Sequence, residues 1–449
     1  MPDVSKKITG GIQLASDILK TIKNVSDFKK RVEASLTKSV TEVLENILAG
    51  AISLDASDIH FEPKEEKIKI RIRIDGVLQD LIFFEEKLYE TILSRVKLLS
   101  GLKFNITDQP QDGRFSVVIG QATVAEALAH LPPRPVFQGS VIEIRTSTLP
   151  AEYGESIVLR ILNPKNLIDM EVLGLRRDLF SLFQKEIKKP NGMIIVTGPT
   201  GSGKTTTLYA FLRKIHRPEI KIITIEDPIE YHLKEAAQTQ VDPKRGYDFA
   251  SGLKSIMRQD PDVILVGEIR DLETAKIAVQ AALTGHLVLT TLHTNDAAGT
   301  IARLVNLGAK PTDIGPAINM TVAQRLVRKV CGQCSKMEKA NPQESKKIKA
   351  GLKGISKEAA APKLGTALKI PRTKGCKNCN YTGYRGRIGI FEAFLVDDKM
   401  EEFILNNPST AALKKEAVKR GMVTMYQDGL IKVLGGATTL EEVERVAAE

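Results

Sequence analysis

Four short apolar runs dominate the middle of the chain: MIIVT (193–197), KIITI (221–225), VILVG (263–267) and LVLTTL (287–292). They are rich in β-branched residues and lack the apolar–polar alternation of a half-exposed strand, and stretches of helical periodicity separate them. A strand that is apolar throughout must be covered on both faces, and strand–helix alternation provides that cover. The pattern predicts a buried parallel sheet wrapped by helices over residues 175–330.

The first run leads directly into GPTGSGKTTT, Gly198 to Thr207. This is the pattern G-x-x-x-x-G-K-[ST], set between a strand and a helical run, TTLYAFLRKI. Glycines let the backbone curl so that its N–H groups point at phosphate oxygens, and the new helix adds its positive end. The expected nucleotide cradle is Gly198, Pro199, Thr200, Gly201, Ser202, Gly203, Lys204, Thr205 and Thr206. Lys204 would reach the β- and γ-phosphates of ATP, and the Thr205 hydroxyl would ligate Mg2+. The bland alternative is a glycine-rich turn; pattern and context together favour the phosphate site.

Hydrolysis also needs carboxylates that hold the metal and orient water. TIEDPIE offers Glu226, Asp227 and Glu230 after one strand, and VILVGEIRD places Glu268 at the end of another, with Asp271 just after. An acid after four apolar strand residues is the Walker B arrangement, here with Glu268 in place of the usual Asp. It is expected beside the P-loop on a neighbouring strand, holding Mg2+ through water. Either cluster alone is compatible with a surface turn. The fourth strand, in TGHLVLTTLHT, is bracketed by His286 and His293, which are either structural or placed to read the γ-phosphate state.

The flanks are less explicit. Residues 1–37 suggest a helical leader, with Ile8, Ile12, Ala15, Ile18, Leu19 and Ile22 at helical spacing. It is either packed on its own protein or a dock for a partner or membrane. Residues 38–162 read as an α/β domain: a helix over Val40–Leu54, a half-buried strand in KIKIRIRIDG, a helix over Leu88–Leu99, and strands near 114–119, 141–145 and 156–161. Residues 120–140, rich in Ala and Pro, suggest an insertion with a short helix and an irregular loop. A linker is expected over 163–174, a cysteine-bearing element over 331–380 and a mostly helical region over 381–449.

Cys331, Cys334, Cys376 and Cys379 are the only cysteines and fall as two C-x-x-C pairs. Two such turns can bring four thiolates onto one tetrahedral Zn2+; four free thiols are the alternative. No run of ~20 apolar residues predicts a transmembrane helix, and the N-terminus lacks a secretory apolar core, so a cytoplasmic protein with peripheral membrane contact is expected. The net charge of +11 would attract nucleic acid, anionic lipid or acidic proteins alike.

Taken together, these residues resemble the type II secretion and type IV pilus assembly ATPases. The likeness covers residues 40–449 through ASDIHFEP, QDGRFSV, RTSTLP, GESIVLRIL, GPTGSGKTTTLY, TIEDPIE, RQDPDVILVGEIRDLETA, TGHLVLTTLHTNDA, AQRLVRKVC and GMVTMYQDGLIKVLGGATTLEEV. It implies a RecA-like P-loop ATPase domain (α/β), a smaller N-terminal α/β, PAS-like domain, a tetracysteine zinc element and a helical C-terminal region. It assigns Glu230 as the water-activating base, Glu268 as the Walker B glutamate, His286 and His293 as the His-box pair, and Arg145 and Arg160 as arginines that complete the site from the N-terminal domain. It implies a hexamer with ATP between the two domains, acting at the inner membrane with a platform protein and a cytoplasmic docking protein. The family's secretion and extension members usually carry the tetracysteine element, which its retraction motors generally lack.

Three rival readings remain, one of them a retraction motor, which the cysteines disfavour. A nucleic-acid-linked ATPase would suit the basic charge and zinc knuckle, but aromatics are 5 % with no Trp, and no basic–aromatic stacking platform is visible, so no direct nucleic-acid partner is expected. A scaffold that binds ATP without turnover is disfavoured by Lys204, Glu230 and Glu268.

Overall fold

The computed structural model describes residues 10–120, 140–356, 359, 365 and 367–447. The chain folds as two compact units, one of the residues up to Asn166 together with Lys374–Gly383, the other of Leu167–Thr373 and Tyr384–Glu449.

The N-terminal unit has a seven-stranded sheet of β1 (Gly11–Leu14), β2 (Asp58–Pro63), β3 (Ile68–Ile74), β4 (Val77–Phe84), β5 (Gln111–Ile119), β6 (Ser140–Ala151) and β7 (Gly154–Leu162), ordered β1-β5-β6-β7-β2-β3-β4. Among the described residues only the β1–β5 pair is parallel. β3 shows why this sheet has two unlike faces: its four isoleucines are buried while Lys69, Arg71 and Arg73 alternate on the other side. Helices Val40–Ser53 and Glu86–Ser100 share one apolar core with the isoleucine face.

The leader departs from its expected single helix. Gly11–Leu14 extends the sheet beside β5, because Ile12 and Leu14 fill the core at strand spacing, and short helices follow at Ser16–Thr21 and Val25–Glu33. Its Phe28 is completely buried against helix Val40–Ser53, where a Cβ at Gly50 would stand 2.1 Å from the Phe28 ring. Only glycine lets the leader approach so closely, and burying such a ring is worth roughly 1.5–3 kcal/mol. Ile8 and residues 121–139 of the expected insertion lie outside the described residues.

The second unit holds the other large sheet: β8 (Gly192–Thr197), β9 (Ile222–Glu226), β10 (Ala237–Gln240), β11 (Val263–Val266), β12 (Leu287–Leu292) and β13 (Ile318–Val330). A two-stranded ribbon, β14 (Ser335–Lys339) with β15 (Lys369–Thr373), precedes the final sheet strand, β16 (Tyr384–Leu395). The order is β10-β9-β11-β12-β8-β13-β16, parallel except for β16. The four apolar runs are the four central strands expected, and two cores explain their composition. Along β8, Met193 and Ile195 enter one core while Ile194 and Val196 enter the other. The region after residue 381 opens with β16, a strand of this sheet, before it turns helical. Among the described residues no helix is long and apolar enough to cross a membrane.

Candidate nucleotide site

Parallel strands gather loops at their C-terminal ends, and the P-loop leaves β8 there, near the middle of the sheet. Gly198 has φ +145°, and a Cβ on it would lie 2.4 Å from the Gln324 carbonyl oxygen; the turn therefore requires glycine. Gln324, on β13, also accepts the Thr207 hydroxyl at 2.6 Å, fastening the loop and its helix Lys204–Ile215 to the next strand. Among the described residues the buried Ser202 hydroxyl has no hydrogen-bond partner, and Thr205 and Thr206 sit half-exposed in the first turn of that helix. A curled glycine backbone, an orphaned hydroxyl, a lysine and a helix N-terminus form a donor set that fits nucleotide phosphates.

The Lys204 ammonium is almost buried and donates to the carbonyls of Gly198 (2.8 Å) and Pro199 (3.2 Å). Burial lowers its pKa below the usual lysine value, and Glu268 and then Glu230 pull it back up. The two predicted acids thus act on the predicted lysine. Glu268 carries an ion pair with Arg270 and lies 3.3 Å from His293 Nε2. Arg270 also reaches Asp227 at 3.3 Å, tying the two acidic clusters together. Asp271 is the N-cap of helix Leu272–Leu283, accepting from Thr274 N at 2.8 Å.

Three expectations change. β12 stands between β8 and β11, so Glu268 comes from the next strand but one, and the strand beside the P-loop delivers His293 and Thr294. Thr294 N donates to Thr197 Oγ1 at 2.8 Å, joining the two strand ends. Glu226 is buried and turned into a network of its own, accepting Thr224 Oγ1 (2.6 Å), Gln238 Nε2 (3.0 Å) and the Tyr209 hydroxyl. Burial raises its pKa against the pull of those three hydrogen bonds. His286 lies at the opposite edge: Leu287 is level with Gly192 and Leu292 with Thr197. A six-residue strand, roughly 20 Å, therefore separates it from the cradle, and its Nδ1 is 3.0 Å from the Ala281 carbonyl oxygen.

Arg145 and Arg160 belong to the N-terminal unit, on β6 and β7, directly opposite each other. The row continues on both sides: Arg114 opposite Arg145, Asp58 opposite Arg160, and Arg73 opposite Asp58. Asp58 holds Arg160 at 3.0 Å and Arg73 at 3.3 Å, and Glu143 holds Arg114 at 3.3 Å. Four arginines thus line one row of the sheet, with Asp58 and Glu143 interleaved among them.

The sulfurs of Cys331, Cys334, Cys376 and Cys379 lie within 4.8 Å of one another, with 3.7 Å between those of Cys376 and Cys379. A disulfide would need ~2.05 Å, whereas thiolates ~2.3 Å from one tetrahedral Zn2+ stand ~3.8 Å apart. The N–H groups of Cys376 (3.1 Å) and Gly383 (3.3 Å) point at Cys379 Sγ, as suits a thiolate. The residues fit zinc.

Sequence reasoning did not single out Arg270, Gln324 or Thr294. Arg270 had a signal, a lone cation inside the acidic run GEIRD; the other two act only through strand neighbours.

A central P-loop strand in a parallel sheet, with carboxylates and a histidine gathered at the same edge, defines a RecA-like P-loop ATPase. A family model described as "Type II/IV secretion system protein" matches residues 33–139 and 134–445, and the chain belongs to that family. It is 40 % identical over 431 residues to the type IV pilus assembly ATPase PilB of Myxococcus xanthus, covering 96 % of this chain and 72 % of that protein. It is 42 % identical over 434 residues to type II secretion system protein E of Pectobacterium carotovorum, covering 96 % and 80 %. Among solved structures, the pilus retraction motor PilT with bound ADP aligns with a TM-score of 0.57 at 26 % identity, over 90 % of this chain and 96 % of that one. The ATPase DotB of Legionella pneumophila, at 22 % identity and a TM-score of 0.60 over 90 % and 95 %, shares the fold.

Proposed function

We propose that the chain is a Mg2+-dependent motor ATPase, working as a hexameric ring at the cytoplasmic face of the inner membrane. There it would drive assembly of a type IV pilus or type II secretion pseudopilus through a platform protein and a docking protein. One observation carries the reading: the buried Lys204 ammonium, held by the Gly198 and Pro199 carbonyls in the curled glycine loop, has its pKa pulled up by Glu268 and then Glu230 against the effect of burial, at the strand ends where a triphosphate fits.

In this reading the P-loop amides and Lys204 hold the β- and γ-phosphates, while Thr205 and Glu268 hold Mg2+, which neutralises charge on the transferring phosphoryl group. Glu230 takes the proton of the attacking water. His293, beside Glu268, orients that carboxylate and responds to the γ-phosphate. Arg145 and Arg160 supply guanidinium charge to an oxyanion at a subunit boundary. The four cysteines hold a structural zinc, since four thiolates leave no open position. Names of relatives that include both pilus and secretion ATPases support the coupling to fibre assembly.

Phosphate release tests the chemistry. Glu230→Gln should keep ATP affinity within about threefold while lowering kcat about 100-fold or more, as expected for loss of a general base. Full turnover in that variant would remove Glu230 from the reaction. Stripping metal with a strong chelator should lower the melting temperature by several degrees, roughly 5 °C or more, with about one zinc released per chain by atomic absorption; an unchanged melting curve would exclude a structural zinc.

A further inference from the structure

Glu392, in the middle of β16, has no role in the site as described so far. Its side chain is buried, 3 % exposed, and among the described residues no lysine or arginine forms an ion pair with it. Instead its two oxygens each take one backbone N–H: Oε1 from Ala297 at 2.9 Å and Oε2 from Met425 at 3.0 Å. Burial raises the Glu392 pKa, and the two N–H donors, with Lys414 acting from beyond ion-pair contact, oppose that rise; a buried carboxylate is costly unless its lone pairs are met. These two donors sit at the entrances of helices Gly299–Asn306 and Met425–Leu434, where free N–H groups and the helix dipole favour negative charge.

The donors come from different parts of the unit. Ala297 closes the loop that leaves β12 through His293. That loop is tied to the phosphate strand by Thr294 N on Thr197 Oγ1 (2.8 Å), and its His293 stands against Glu268 (3.3 Å). Met425 begins a C-terminal helix whose own buried Asp428 accepts from Phe391 N at 2.8 Å and pairs with Arg176 at 2.9 Å and with Lys432. A single side chain therefore joins the P-loop edge of the sheet to a helix held in place by a buried ionic cluster.

We propose that Glu392 is a positioning residue for hydrolysis: it clamps the His293–Ala297 loop against the N-terminus of helix Met425–Leu434, so that the setting of the C-terminal helices fixes His293 and, through it, Glu268. The inference rests on the ATPase reading above and extends it to a residue remote from the phosphates. Displacement of helix Met425–Leu434 would slacken the loop without touching the P-loop.

The test uses the full chain and two ways of cutting the clamp. Glu392→Gln leaves one acceptor and turns an amide NH2 toward the other N–H. Met425→Pro deletes the N–H itself; proline suits the first helical position, and the extended Thr424 (ψ 159°) suits a residue before proline. Met425→Ala serves as the control for the lost side chain. Steady-state kinetics and amide exchange are read together. Expected for Glu392→Gln is a fall in kcat of about tenfold or more with KM within about threefold, and faster exchange confined to residues 293–298. Met425→Pro should repeat both relative to Met425→Ala. Unchanged exchange at 293–298 would overturn the clamp. So would wild-type kcat in both variants, or kcat, KM and exchange across the whole unit worsening together, which marks a merely structural role. A wild-type chain that fails to hydrolyse ATP sinks the ATPase reading and this role with it, an outcome separable from the others because it precedes any substitution.

Discussion

In the second unit the chemistry-bearing side chains stand just past the ends of strands, while in the N-terminal unit they stand mid-strand, in a row across the sheet. Lys204, Glu230, Glu268 and His293 all follow parallel strands that end at one edge. Arg114, Arg145, Arg160 and Arg73 lie side by side on β5, β6, β7 and β3, with Asp58 on β2 completing the row. The parallel sheet is buried on both faces, so only its edge can meet a ligand. The other sheet buries one face, so its free face can present a stripe of charge. The two designs fail differently: a loop change at the edge moves one group, whereas a one-residue slip of register would turn a whole strand's arginines into the core.

The largest expected effect lies at the strand-end site. Lys204→Ala removes the ammonium from a nearly buried position between the Gly198 and Pro199 carbonyls and two acids. ATPase activity should fall by about a thousandfold or more, with nucleotide binding by equilibrium dialysis also weakened. Retained activity would show that the edge is not where the phosphates bind, and the comparison would collapse.

The arginine row should respond in another manner. Arg145→Ala should leave the nucleotide affinity of isolated subunits within about twofold, yet lower the kcat of assembled rings by about 100-fold, as for other arginines that act on a transferring phosphoryl group. Arg114→Ala, whose guanidinium is paired with Glu143, should lose less than about tenfold on the same scale. Equal losses at both positions would mean that the row acts as a diffuse field and not through particular residues.

What was legible in the sequence follows the same division. The four central strands could be read because residues such as Met193–Val196 are apolar on both faces, and β3 because Ile68 to Ile74 alternate with bases. β13 and β16 were hidden: each starts or ends with arginines and lysines (Arg325, Arg328, Lys329; Arg385, Arg387) that mask the apolar half pairing at the sheet margin. Spatial order was not legible at all. Nothing in the chain says that β12 separates β8 from β11, or that Glu226 turns inward to Tyr209 while Glu230, four residues on, acts on Lys204. Those facts depend on partners distant in sequence. The cysteines were readable because two C-x-x-C turns already gather their sulfurs locally, into a set that fits zinc.

The smallest expected effect is also the sharpest test of the edge rule. His286 and His293 bracket the same strand and look alike in the sequence, yet the strand's length parts them. His293 meets Glu268 at 3.3 Å, while the His286 ring faces the Ala281 carbonyl at the end of helix Leu272–Leu283. If chemistry is confined to the C-terminal edge, His293→Ala should lower kcat by about tenfold, in keeping with the loss of one orienting contact to a catalytic carboxylate. His286→Ala in an isolated subunit should leave single-turnover hydrolysis within about twofold, because ~20 Å exceeds any hydrogen-bonded reach to the cradle. In assembled rings the same substitution distinguishes two possibilities. An unchanged rate keeps His286 as a local fastening of the helix end. A large loss seen only in the ring would place that edge of the sheet against a neighbouring subunit, and would limit the strand-end rule to what one chain contributes to its own nucleotide.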